Sequence, residues 1–456
     1  MFLVKTFSIG NQLNIIDVGV IVAFLLASLG IALLVKKRAN SSKNSFFVGN
    51  RNLPWFVVGI SMVATTFAAD TPLAVAEIVG KNGISGNWLW WYAMMGGMLT
   101  AVFFSYLWRR SKVVTENELI SLRYYGKPAR FLRVAKAAYL GIFINIVIMA
   151  WVNLAMLTIF KSFFNIDYFT AFTITVALMI LVAIYSSISG FLGVVYTDVL
   201  QFVLAMTASI VLCYMVLDLP EIGGLKGLAE KLKPEQMNFF PSERTGNKWL
   251  NFLTLISVVW WASWYPGQEP GGGGYIAQRM AAAKDEKNAT FASLLFQIAH
   301  ICLRPWPWII VGLSCIILYP ELSGDELKNG YVYAMRDHLP QGIKGLMLVG
   351  FIGAYMSTIS THLNWGASYI VNDIIKLNKP NLKQSKEVLY GRLSTVGLMV
   401  LAAIVSTQIT SISGTWLFIM ECGAGLGLVL ILRWYWWRIN AWTEISATIA
   451  PVFFYG

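Results

Sequence analysis

About eleven apolar runs, most of them longer than the ~20 residues that cross a bilayer as helix, fill this 456-residue chain. Stretches such as 18–35 and 171–184 show none of the polar/apolar alternation of a membrane β-barrel strand. They read as helices, and without water in the hydrocarbon every backbone N–H and C=O must pair within them. Charged residues are only 13% of the chain, against roughly a quarter in a soluble domain. A water-soluble globule is excluded, and the fold class is an all-α polytopic membrane protein.

The hydropathy pattern predicts helices near 14–35, 55–79, 88–108, 135–160, 168–187, 190–217, 249–266, 289–318, 343–372, 391–408 and 413–433. A last run, 441–456, begins like a further helix and stops short, as a truncated one would. The first run has neither the short apolar core nor the small-residue cleavage site of a signal peptide, so it is expected to be retained. Assigning loops alternately puts 36–54, 109–136, 279–288, 373–392 and 433–438 on one side, with 23 of the 35 Lys and Arg. That side is expected to be cytoplasmic, with the N-terminus outside and the inner (plasma) membrane as the compartment. The net charge of +12 is then topology. It implies a lipid bilayer as partner, and no nucleic acid.

Cys213, Cys302, Cys315 and Cys422 lie in apolar runs without metal-type spacing and read as buried, inert thiols. The three histidines form no ligand cluster. No Walker motif, dinucleotide turn or nucleophile elbow occurs, and the longest polar loop, about 218–248, is too short for an ATPase. The chain is not expected to be an enzyme; an ion gradient or the solute itself must drive any transport.

Two predicted helices are interrupted. In 55–79 the pattern breaks at Ala64-Thr65-Thr66-Phe67-Ala68-Ala69-Asp70-Thr71-Pro72, where Pro lacks an amide hydrogen. After Trp260, two prolines and five glycines fall between Pro266 and Gly274 and cannot stay helical. The breaks are five helices apart, an odd number, so the second half enters the membrane from the opposite side. This predicts one transmembrane domain, 1–456, made of an extra helix at 14–35 and inverted repeats at 55–217 and 249–433. Paired breaks of this kind point to a transporter's binding site.

Three strings then carry a resemblance. Tyr185-Ser186-Ser187-Ile188-Ser189-Gly190-Phe191-Leu192-Gly193-Val194-Val195-Tyr196-Thr197-Asp198-Val199-Leu200-Gln201 resembles the signature of the sodium:solute symporter family, with Ser189-Gly190 where members usually carry two glycines. Tyr275-Ile276-Ala277-Gln278-Arg279 resembles a second marker, and Ala354 to Asn364 a third. The resemblance implies a five-plus-five inverted repeat of the leucine-transporter type preceded by one helix. It also implies secondary active, Na⁺-coupled symport of a small polar organic solute (a sugar, amino acid or carboxylate) into the cell by alternating access. A proton-coupled or uncoupled permease, or a transporter-like sensor, is the alternative. Oligomeric state is not legible.

On the helix 343–372, hydroxyls at Ser357, Thr358, Ser360 and Thr361 either pack neighbouring helices closely or bind ions. The resemblance implies a first sodium site from carbonyls of Ala64, Phe67 and Ala354 with the hydroxyls of Ser357 and Thr358. It implies a second from Asp198 with Ser357, Ser360 and Thr361. An Asp at this depth costs ~2.5–3.5 kcal/mol to insert, and a bound cation is its expected partner. Candidate solute ligands are Asp70, Thr71, Glu269, His300, Arg304 and Trp416. Arg304 either grips a solute carboxylate or pairs with Glu269 or Asp70. Trp264 and Tyr265 are gate candidates, and Glu421 is a buried carboxylate without an assigned role.

Overall fold

The computed structural model describes residues 13–39, 43–242, 247–263, 271–409 and 412–454. Its elements are helical: α1 (Ile15–Ala39), α2 (Trp55–Thr65), α3 (Thr71–Asn82), α4 (93–111), α5 (Gly126–Phe164), α6 (Tyr168–Ile188), α7 (Gly190–Leu217), α8 (247–262), α9 (Gly274–Ala282), α10 (Glu286–Leu318), α11 (Leu327–His338), α12 (Ile343–Asn378), α13 (Gln384–Ser406), α14 (Ile412–Cys422), α15 (Leu426–Leu432) and α16 (Ala441–Phe454). Seven of them, α1, α5, α6, α7, α10, α12 and α13, are long and apolar enough to span a membrane unbroken.

The first interruption is real. Helix α2 stops at Thr65 and α3 starts at Thr71. In the second predicted helix, α8 stops at Ala262 and α9 resumes at Gly274, with Gly271 and Gly272 at positive φ. A third interruption was missed. The run 413–433, expected as one helix, divides into α14 and α15 at Gly423–Gly425, and Gly425 has φ +82°. The glycines at 423, 425 and 427 were the available signal. The third permits a close approach, because a Cβ on Gly427 would lie 2.2 Å from the carbonyl oxygen of Trp261.

Helix α12 is the axis of the molecule. Between Gly345 and Tyr369 nearly every side chain is buried, and no Lys, Arg, Asp or Glu occurs from 345 to 372. Its small residues let neighbours close in, as in membrane helix packing generally: a Cβ on Gly366 would meet Asn145 Nδ2 at 2.3 Å. Helix α7, carrying the signature string, packs along α12. It parts from α6 at Gly190, whose φ of +53° suits glycine. Helix α1 lies outside, with 17% of its apolar window buried against 83% for α12. It is anchored at one end by Asp17, whose Oδ1 accepts from the backbone N–H groups of Gly342 (2.8 Å) and Gly345 (2.6 Å) at the start of α12.

The two broken helices are tied at their ends. The N–H of Leu53, before α2, donates to Ala282 O at the end of α9 (3.2 Å), and Lys284 N donates to Leu53 O (2.8 Å). Lysines and arginines concentrate at this end, which is called here the basic face.

Candidate ion and solute site

At the first break the chain itself unties the helix. The Thr66 hydroxyl donates to Val63 O (3.0 Å) and Met62 O (3.1 Å), competing with backbone donors. Pro72, near the start of α3, has no N–H to offer. The freed carbonyls are taken by Arg304. Its Nη1 donates to Val63 O (3.1 Å) and Thr66 Oγ1 (2.7 Å), and its Nη2 to Thr66 O (2.6 Å). The guanidinium lies over the rings of Phe67, Trp90 and Trp308 at 5.2–5.4 Å. It makes no ion pair with Asp70. It braces the unwound backbone from a fully buried position.

Arg304 Nη1 also donates to His300 Nδ1 (2.9 Å). A guanidinium only donates, so Nδ1 accepts, the ring proton sits on Nε2, and His300 is neutral. The ring stacks on Trp90 at 4.6 Å. A π turn at 299–303 sets His300 and Arg304 at this point of α10.

Beside the break lies a small cavity of about 50 Å³. Its walls bring together Asp70, Thr71, His300 and Trp416 with Thr358 of α12 and Tyr275 of α9. Four of the six expected solute ligands therefore share one wall set. Arg304 stands behind it, and Glu269, Trp264 and Tyr265 lie outside the described residues.

The hydroxyl helix meets the first break directly. Thr358 Oγ1 donates to Thr65 O (3.0 Å), while Phe67 N turns back onto Ala64 O (3.0 Å). Ala64, Phe67, Ala354, Ser357 and Thr358 are all buried here. Hydroxyls and unwound carbonyls, the hard oxygens an alkali cation takes, are thus adjacent.

Asp198 has a different neighbour from the one expected. Its Oδ1 accepts from Ser357 Oγ (2.6 Å); its Oδ2 accepts from Ser61 Oγ (2.5 Å) and Arg279 Nη2 (3.2 Å). Arg279 also donates to Ser61 Oγ (2.8 Å), Thr65 Oγ1 (2.5 Å) and Thr361 Oγ1 (2.7 Å). The cation answering Asp198 is therefore an arginine from α9, a residue that the loop count had placed at the surface. Thr361 and Ser357 join this cluster, whereas Ser360 Oγ donates to Ser357 O of its own helix (3.1 Å). The string Gln278-Arg279 was visible in the sequence; its meeting with α7 was not.

Residues 46–450 match the sodium:solute symporter family. The chain belongs to that family. Family members are transporters rather than enzymes, and Na⁺ is the coupling ion. A sodium/glucose cotransporter of Vibrio parahaemolyticus is 23% identical to this symporter over 98% of its chain and 85% of the relative. A sodium/mannose cotransporter of Bos taurus is 21% identical over 94% and 76%. The sodium/iodide cotransporter of Homo sapiens is 25% identical over 82% and 58%. A Na⁺-coupled sialic acid symporter, solved in a substrate-bound outward-open state, superimposes with a TM-score of 0.77 over 96% of both chains at 16% identity. The leucine-transporter-type fold follows.

In this symporter a second charge cluster, missed in the sequence, closes the basic face. Glu116 pairs with Arg433 (3.3 Å) and Lys136 (3.6 Å), and Glu444 pairs with Lys136 (3.3 Å) and Arg433 (3.7 Å). All four are buried. Glu116 Oε2 also accepts from the first N–H of α9, at Gly274 (2.7 Å). Glu421 is half-buried at the end of α14 and does not line the cavity. Of the cysteines, Cys213 and Cys315 are buried as expected, Cys422 is half-buried, and Cys302 is exposed on α10.

Proposed function

We propose that this symporter carries a small polar organic solute together with Na⁺ from the outside of the inner (plasma) membrane into the cell, with its N-terminus outside. The solute occupies the cavity at the first break, held by Asp70, Thr71, His300 and Trp416. Sodium sits beside it, on the carbonyls of Ala64, Phe67 and Ala354 and the hydroxyls of Ser357 and Thr358. The observation that carries this reading is the 3.0 Å bond from Thr358 to the Thr65 carbonyl, because Thr358 also lines the cavity. One residue, itself a ligand of the proposed sodium site, thus also lines the solute space, and binding at either affects the other. Inverted repeats at 55–217 and 249–433 then rock about this point.

A second sodium, on Asp198, Ser357, Ser360 and Thr361, requires Arg279 to leave the carboxylate. We assign that site to a conformation in which α9 has moved. Solute flux into proteoliposomes with and without a Na⁺ gradient tests the reading. Flux that ignores Na⁺ rejects it in favour of a proton-coupled or uncoupled permease, and Thr358→Ala with an unchanged half-saturating Na⁺ concentration rejects the first ion site.

A further inference from the structure

Asp70 is 2% exposed, yet its Oδ1 has no hydrogen-bond partner. It faces the cavity. Burying an ionised carboxylate without a partner is costly, so the group takes up either a proton or a cationic guest. The residues described around the cavity include no Lys or Arg. The one guanidinium nearby, on Arg304, donates to Val63 O, both Thr66 oxygens and His300 instead. His300, accepting at Nδ1, brings no charge. Among the described residues the cavity wall therefore carries one carboxylate and no Lys or Arg.

The rest of the wall says which counter-charge fits. Trp90 and Tyr275 already lie under Arg304 and Arg279, which leaves the rings of Trp151 and Trp416, whose negative π faces attract a cation. Indole rings offer no hard lone pairs of the kind a bare sodium ion needs. The oxygens near Asp70 are committed as well: Thr71 Oγ1 accepts from Ala68 N (3.2 Å), and Thr66 Oγ1 is bonded to Arg304 and its own helix. The cavity's volume of about 50 Å³ is several times the ~10–15 Å³ that one water needs. Trp416 Nε1, also buried without a partner, lies beside the Asp70 carboxyl.

Resting on the solute site proposed above, we propose that the transported solute is an organic cation, a protonated amine or quaternary ammonium, whose charge is held by Asp70 beside Trp151 and Trp416. An anionic solute is disfavoured by the same carboxylate.

The test uses the full-length protein in saturating Na⁺ and reads dissociation constants from ligand-induced thermal shifts. Probes come in sets of similar shape and different charge: choline against 3,3-dimethyl-1-butanol, glucosamine against glucose and glucuronate, ethanolamine against ethylene glycol and glycolate. The cationic member of at least one set should bind tenfold or more tighter than its counterparts. Asp70→Asn should erase that preference while keeping the stabilisation by Na⁺ alone, which shows the variant is folded. If a neutral or anionic member binds best, and Thr71→Val or Trp416→Leu weakens it, the cavity is the solute site and the cationic class is overturned. Binding indifferent to all three substitutions overturns the solute site itself. Absence of binding by every cation overturns the proposal.

Discussion

Two buried charge clusters differ in how they are balanced. On the basic face, Glu116, Lys136, Arg433 and Glu444 form a closed ring in which each acid touches two bases. Near the first break, one acid and one base, Asp198 and Arg279, are set among the hydroxyls of Ser61, Thr65, Ser357 and Thr361. The ring cancels its own charge. The pair is padded with groups whose dipoles serve a guanidinium or a metal cation equally well. A cluster meant to hold a face shut uses fixed charges, and one meant to exchange partners uses hydroxyls.

The largest expected effect breaks the ring. Lys136→Met leaves two buried acids facing one base and should destabilise the protein by ~3–5 kcal/mol, read as a lower thermal midpoint. Adding Glu444→Gln should restore part of that loss, since the remaining pair is neutral. A single variant as stable as the parent would show that the ring is not closed in solution. Asp198→Asn comes next. It strands Arg279, and a loss of ~2–4 kcal/mol is expected, relieved in the double variant with Arg279→Gln. Where Na⁺ occupies the place of the guanidinium, the Arg279→Gln protein should also gain thermal stability from Na⁺ that the Asp198→Asn/Arg279→Gln protein lacks. Equal Na⁺ responses in these two would break the contrast between exchangeable pair and fixed ring.

Smaller effects sharpen it. Thr358→Val keeps shape but removes the donor to the Thr65 carbonyl, and about 1 kcal/mol of stability is at stake. Its larger signature should be a half-saturating Na⁺ concentration raised severalfold in a flux assay. Gly190→Ala forces a side chain into φ +53° and should cost ~1–2 kcal/mol. Because α7 carries Asp198, that variant should perturb Na⁺ response while leaving the ring variants' penalties unchanged.

Much of this was legible in the chain. The long apolar runs, the break at 64–72 and the Gly/Pro-rich second interruption followed from local chemistry: helix hydrophobicity, the missing amide of proline, the freedom of glycine. Four solute candidates and the paired hydroxyls of α12 emerged on common ground. The third interruption at Gly423–Gly425 was legible too, though its glycines were passed over inside an apolar run.

The sequence by itself determined what each segment could do alone, namely cross a membrane, unwind at a given residue, or offer an oxygen. Tertiary structure alone decided who answers whom. Asp198 meets Arg279 across 81 residues, and Glu116 meets Arg433 across 317. Arg304 meets the carbonyls of Val63 and Thr66, some 240 residues away. The physical reason is that hydropathy and backbone breaks act over one or two helical turns. The partner of a buried charge is whichever group the packing of distant helices brings within about 3 Å, the distance at which such bonds form.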